Sequence, residues 1–233
     1  MTAIPREERL IVALDVPTAR EARALVEKLE GAARFYKVGL ELFTADGYFE
    51  LIDWLVRRGN KVFADLKLYD IPETVRRAVG NLRGSGATFL TVHGHRSVMD
   101  AAAREKGAMK ILAVTVLTSF DERDLKEMGS TQTVEQLVLA RARGAAECGC
   151  DGVIASGLEA KVLKATFKER LLVVTPGIRP VAGKDDQKRT VDVAQAFANG
   201  ADYIVVGRPI RDSADPRAAA AGIQKTISGV FAK

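Results

Sequence analysis

Two carboxylates and an ammonium fall within the stretch Asp65-Leu66-Lys67-Leu68-Tyr69-Asp70, directly after the apolar run Lys61-Val62-Phe63-Ala64. That run reads as a buried strand. Side chains alternate faces along a strand, so Asp65 and Lys67 are expected to point the same way. Asp70 lies past the strand, where Ile71-Pro72 turns the chain and Pro72 suits the first turn of a helix. Flanking carboxylates keep a lysine protonated, which makes it a good general acid, and they repel an anionic group on a substrate. Lys37, on the strand-like run Phe35–Gly39, adds a second ammonium. Unit charges ~4 Å apart interact by about 4 kcal/mol at an effective dielectric of 20, so alternating signs offset one another's desolvation. A lone Asp-x-Lys pair would be read as a structural salt bridge. Lys37 and the polar ends of the other strands argue for a site instead.

The elements that must hold these groups recur along the chain. Strands are expected at 10–15, 35–39, 62–67, 89–93, 110–117, 152–156, 171–175 and 203–206. Helices are expected from Pro17-Thr18 through Leu29 and at 44–58, 72–83, 97–106, 133–147, 159–167, 191–198 and 215–230, with a short polar stretch at 121–128. Apolar residues at nearly every strand position fit a parallel sheet buried on both faces. Eight such βα units predict a single-domain α/β protein, a (β/α)8 TIM barrel over residues 1–233.

In that architecture chemistry gathers at the carboxyl ends of the strands. The expected ends carry Asp15, Lys37, Asp65 with Lys67, His93, Leu117-Thr118-Ser119, Pro176-Gly177-Ile178-Arg179 and Gly207-Arg208. The loops after strands seven and eight are the usual phosphate site of such barrels, and here they hold Gly177, Arg179, Gly207 and Arg208. Glycines let backbone N–H groups approach a phosphate, and arginine pairs with it through two bonds. The polar loop Val181–Arg189 is long enough to fold over a ligand. A phosphorylated small substrate is the expectation.

Bulk properties narrow the classes further. The chain has 233 residues, 47% hydrophobic and 28% charged, as in ordinary globular proteins. No apolar run approaches the ~20 residues of a membrane span, and the polar start of the chain has no signal-peptide core, so a cytoplasmic location is expected. The net charge of +5 is spread without a run of five basic residues, which argues against nucleic acid as a partner. Cys148-Gly149-Cys150 is at best half a zinc site, and both thiols are expected to be structural and buried. His93 and His95 have no acidic partner in sequence reach, and His93 is expected to pack beside the site. Lys37 and Lys67 would compete with a divalent cation for the carboxylates, so no metal is expected.

The ordered set of motifs resembles the orotidine 5'-phosphate decarboxylase family. Asp65-Leu-Lys67-Leu-Tyr-Asp70-Ile-Pro-Glu-Thr74 is similar to its Asp-x-Lys-x-x-Asp-Ile-Pro signature. Val12-Ala-Leu-Asp15, Tyr36-Lys37-Val-Gly39, Thr91-Val-His93, Leu117-Thr118-Ser119, Thr175-Pro-Gly-Ile-Arg179 and Val206-Gly-Arg-Pro209 match further motifs in order. The resemblance implies decarboxylation of orotidine 5'-monophosphate to UMP without metal or organic cofactor. It implies Lys67 as proton donor to C6 of the pyrimidine, with Lys37 and Asp65 completing the array. Asp70 would reach a neighbouring subunit's site, making the enzyme a homodimer with shared active sites, and Ile71 and Thr74 would line that partner site. Asp15 and Lys37 would contact the ribose, and Thr118 or Ser119 the pyrimidine edge. Arg179, Gln187, Gly207 and Arg208 would bind the phosphate. Two rivals stay open: a magnesium-dependent barrel acting on a sugar phosphate, such as a keto-gulonate phosphate decarboxylase or hexulose phosphate synthase, and a barrel that binds without turnover. Ile71-Pro72 and the Pro176–Arg179 loop favour the decarboxylase over the first. Unlike charges kept at some desolvation cost argue against the second.

Overall fold

A computed structural model describes residues 4–178 and 189–232. Eight parallel strands close on themselves in sequence order: β1 (Leu10–Ala13), β2 (Phe35–Gly39), β3 (Lys61–Leu68), β4 (Phe89–His93), β5 (Lys110–Val114), β6 (Gly152–Ile154), β7 (Leu172–Thr175) and β8 (Tyr203–Val206). The ring closes where Leu10, Ile11 and Val12 pair with Ile204, Val205 and Val206. This is the expected (β/α)8 barrel. The strands alternate between two apolar layers. Ile11, Phe35, Phe63, Phe89, Leu112, Val174 and Tyr203 fill the interior. Phe35, Phe89 and Tyr203, from strands that are not neighbours, meet there at centroid distances of 5.0–5.8 Å. Leu10, Val12, Val38, Val62, Leu90 and Ile111 face the helical layer instead. Both faces of each strand are thereby buried, which accounts for the near-continuous apolar runs.

The surrounding helices are α1 (Ala19–Leu29), α2 (Leu40–Phe43), α3 (Tyr48–Arg57), α4 (Pro72–Leu82), α5 (Arg96–Glu105), α6 (Glu122–Glu127), α7 (Val134–Cys148), α8 (Ala160–Phe167), α9 (Val193–Ala198), α10 (Arg208–Arg211) and α11 (Pro216–Val230). Their starts carry local signals. Thr18 caps α1 by accepting the Glu21 N–H, Thr133 forms a capping box with Gln136, and Pro72 and Pro216 open α4 and α11.

Four expectations are corrected. The helix expected over 44–58 starts only at Tyr48, as α3, because Gly47 at its N-cap adopts φ +83°, and the separate turn α2 lies before it at Leu40–Phe43. The polar stretch 121–128 is helical as α6, held by a capping box between Asp121 and Asp124. Strand five stops at Val114, where Leu112, Ala113 and Val114 pair with all of β6. Cys150 is buried but Cys148, at the end of α7, is only half-buried. Burial pushes the Cys150 thiol up to about 12.

Candidate active site

The strands' carboxyl ends open into a cavity of about 350 Å³ lined by Asp15, Lys37, Asp65, Lys67, Thr118, Ser119, Gly177, Gly207 and Arg208 among others. Parallel register brings the charges together: Ala13 pairs with Lys37, and Gly39 with Asp65. The Lys37 ammonium lies 2.8 Å from Asp15 Oδ1 and 3.4 Å from Asp65 Oδ2. Lys67 Nζ lies 2.8 Å from Asp65 Oδ1. The result is an unbroken chain of alternating sign, Asp15–Lys37–Asp65–Lys67.

Burial is deep at its centre. The side chains of Lys37 and Asp65 are each 12% exposed, that of Lys67 30%. Burial by itself raises the Asp65 carboxyl, but Lys37, Lys67 and the hydrogen bonds from Lys67 and Thr91 outweigh it and hold the group below its ordinary range. Burial likewise opposes the Lys37 charge, and Asp65 and Asp15 reverse the sign, holding Lys37 above the ordinary lysine value. Both groups are therefore charged at neutral pH.

Asp65 and Lys67 share the cavity face, as strand alternation predicts, with Leu66 and Leu68 turned to the helical layer, but β3 is not regular there. Between the pairs Ala64–Leu90 and Leu68–Val92, β3 advances four residues while β4 advances two. Within this bulge Lys67 takes a left-handed backbone, φ +47°. For a side chain this long such a conformation is strained, typically by about 1–2 kcal/mol. Thr91 holds the bulge: its hydroxyl donates to Asp65 Oδ1 (2.9 Å) and accepts the Lys67 N–H (3.0 Å).

Other expected residues fall elsewhere. Asp70, Ile71 and Thr74 are exposed and do not line the cavity of their own chain. The Asp70 carboxylate accepts the Ile71 N–H at 2.6 Å. His93 is half-buried under the Tyr69 ring, 4.8 Å between centroids, and Tyr69 also meets His95 at 5.5 Å. Burial, then Arg141, His95 and Lys67, push the His93 imidazole below its ordinary value. Arg179 and Gln187 lie outside the described residues.

Three contributors escaped the sequence reading. Arg211 lines the cavity and donates to the Asp15 carbonyl at 2.6 Å, fixing the loop after β1. Gly39 leaves room for the array: a Cβ there would lie 3.1 Å from Lys37 Nζ and 3.5 Å from Asp15 Oδ1. Arg189, expected within a polar loop, is buried and ion-paired with Glu159. The pattern of a polar loop does not show which of its cations turns inward, and only the Tyr36-Lys37-Val38-Gly39 motif hinted at the glycine.

Comparison with known proteins agrees with this geometry. Residues 8–223 match the family model described as orotidine 5'-phosphate decarboxylase / HUMPS family. The orotidine 5'-phosphate decarboxylase of Methylococcus capsulatus is 58% identical over 231 residues, covering 98% of this chain and 96% of the relative. That of Stenotrophomonas maltophilia is 48% identical over 229 residues, 97% and 95% of the two chains. Among solved structures, orotidine 5'-phosphate decarboxylase from Lactobacillus acidophilus superposes with a TM-score of 0.84 at 36% identity, covering 94% of this chain and 99% of that one. Fold, ordered motifs and near full-length identity converge, and this chain belongs to the orotidine 5'-phosphate decarboxylase / HUMPS family.

Proposed function

We propose that this chain, an orotidine 5'-monophosphate decarboxylase forming UMP for pyrimidine biosynthesis, works through the Lys37–Asp65–Lys67 array. The carrying observation is that Asp65 sits between two ammonium groups at the cavity floor. As the bond from C6 to the carboxylate breaks, its electron pair stays on a ring carbon poorly placed to delocalise it. Lys67 Nζ stabilises that charge and delivers a proton to C6. Asp65 faces the departing carboxylate, and Lys37 with Asp15 orients Asp65 and contacts the ribose. Thr118 or Ser119 holds the pyrimidine edge. Gly207 and Arg208, with Arg179 and Gln187, take the phosphate, whose binding energy orders the site around the reacting carbon.

Asp65 offers little to a divalent cation. Its Oδ1 already accepts from Lys67 and Thr91, and its Oδ2 faces Lys37. That donor set favours the cofactor-free reading over a magnesium-dependent one.

The assembly we propose is a homodimer in which Asp70 enters the neighbour's site, with Ile71 and Thr74 lining it. In support, these residues are exposed at the rim of their own barrel. Tyr69 and Ile71 are 60% and 67% exposed, and Leu40, Phe43 and Phe49 add apolar surface from α2 and α3. We place the enzyme in the cytoplasm, where its two free cysteines stay reduced. The whole chain, 1–233, is read as one barrel domain.

Loss of orotidine 5'-monophosphate absorbance tests the reading. The wild-type protein should turn the substrate over in EDTA, and Lys67→Ala should abolish turnover. Full activity in Lys67→Ala would sink the proton-donor role, and inactivation by EDTA would favour the magnesium-dependent rival.

A further inference from the structure

Arg189 follows the β7 loop, two residues before the bridge that joins Val191 to Ile178. Its side chain is 10% exposed and that of its ion-pair partner Glu159 is 8% exposed. Nη1 binds Glu159 Oε1, while Nη2 donates to the carbonyls of Val116 (3.2 Å) and Leu117 (2.9 Å). The second Glu159 oxygen accepts the Ser156 N–H at 2.9 Å and also the Ser156 hydroxyl. One guanidinium thus joins the loops after β5, β6 and β7. The contact is close: a Cβ on Gly157 would lie 2.3 Å from Val191 Cγ2.

Neither Arg189 nor Glu159 lines the cavity, but Leu117, whose carbonyl Arg189 holds, directly precedes Thr118 and Ser119, which do. A buried ion pair is a weak device for stability, since apolar side chains of equal volume often serve as well. A planar fork that holds a carboxylate and two carbonyls at once is something only arginine supplies.

We infer that Arg189 is a positioning residue for the decarboxylation: it fixes the carbonyls of Val116 and Leu117 so that Thr118 and Ser119 meet the pyrimidine in register. This rests on the proposed role of Thr118 and Ser119 at the pyrimidine edge.

The test compares wild type, Arg189→Lys, Arg189→Ala and Glu159→Gln. Lysine keeps the charge for Glu159 but cannot span both carbonyls. Arg189→Lys should therefore fold with a near wild-type melting temperature yet lose about 10²-fold in kcat/KM, the scale of a ~1 Å misplacement. Millimolar guanidinium should restore about tenfold of the activity of Arg189→Ala and none in wild type. The same fold loss should appear with the nucleoside orotidine, which has no phosphate. Wild-type kcat/KM in Arg189→Lys would overturn the inference. So would a loss confined to the phosphorylated substrate, which would assign Arg189 to the phosphate loop. If Arg189→Ala does not fold, Arg189→Lys and Glu159→Gln decide by the same criteria. An inactive wild type would remove the functional reading as well, whereas an active wild type with unimpaired variants removes only the positioning role.

Discussion

Replacing Lys37 by methionine keeps the side-chain length and deletes the charge, so it isolates the electrostatics of the array. At an effective dielectric of 20 the 3.4 Å contact of Lys37 with Asp65 corresponds to about 5 kcal/mol, and the 2.8 Å contact of Lys67 with Asp65 to about 6. The variant keeps Lys67, so Asp65 loses somewhat under half of its gross attraction. Asp15, 39% exposed, can be re-solvated and adds little. Removing one partner of a buried pair typically destabilises by about 3–5 kcal/mol, and the surviving Lys67 puts Lys37→Met at the lower end, about 3 kcal/mol. For a chain of this size that is a fall in melting temperature of about 6–12 °C. The pH dependence is the sharper signature. Lys37 is the largest of the influences that lower the Asp65 carboxyl, so the variant's Asp65 titrates higher than the wild type's. Asp65 contributes stability above its unfolded value that is lost as pH falls through its folded value. The gap between the proteins should therefore shrink as pH falls into and below the ordinary carboxylate range, where the variant's Asp65 protonates before the wild type's. Lys37 contributes below its unfolded value of about 10.4, and that contribution is lost as pH rises through its raised folded value, so the gap also closes in strong alkali. Urea melts across this range measure it. A gap that stays flat or widens on acidification would refute the electrostatic account, as would a difference below about 1 kcal/mol at neutral pH.

Because Lys67 sits at φ +47°, Lys67→Gly should be more stable than Lys67→Ala by about 1 kcal/mol in denaturant melts although both are inactive; the opposite order would mean that the bulge is not strained. Thr91→Val removes the donor to Asp65 and the acceptor of the Lys67 N–H, and should cost about 1–3 kcal/mol in urea melts and lower kcat more than it raises KM. Mixing inactive Lys67→Ala and Asp70→Ala proteins under subunit exchange should recover about a quarter of wild-type activity, because random pairing makes half of the dimers mixed and each mixed dimer holds one complete site. No recovery after verified exchange would mean that Asp70 does not act across subunits.

The barrel was legible because its signals are local. Both-faces-buried strands read as continuous apolar runs, and helix starts carry Thr18, Thr133 and Pro72 where caps and first turns need them. What failed was equally local but ambiguous. Gly47 sits inside an otherwise helical pattern and reads as a tolerated interruption until its φ of +83° is seen. Asp121 and Asp124 read as a polar loop unless the reciprocal bonds of a capping box are recognised.

The site divides along another line. Residue types that carry charge at strand ends could be listed from spacing alone, and Asp15, Lys37, Asp65, Lys67, Thr118, Ser119, Gly207 and Arg208 do gather at one cavity. The residues that fix those groups could not be listed, because each acts on a partner far away in sequence. Thr91 reaches Asp65 across 26 residues, Arg211 the Asp15 carbonyl across 196, and Arg189 the Val116 carbonyl across 73. Strand register sets those meetings, and register follows from the closure of the whole barrel rather than from any window of sequence. Lys67 joins the two levels. Its type and its face were readable, but not the bulge of β3 against β4 or the left-handed backbone, which lysine does not favour. Strain of that kind persists only where the surroundings over-determine it, and here Thr91 and Asp65 grip the residue at its N–H and its ammonium. The contacts that hold the bulge are made by the array itself, Thr91 and Asp65, so the irregularity belongs to the site rather than to the fold.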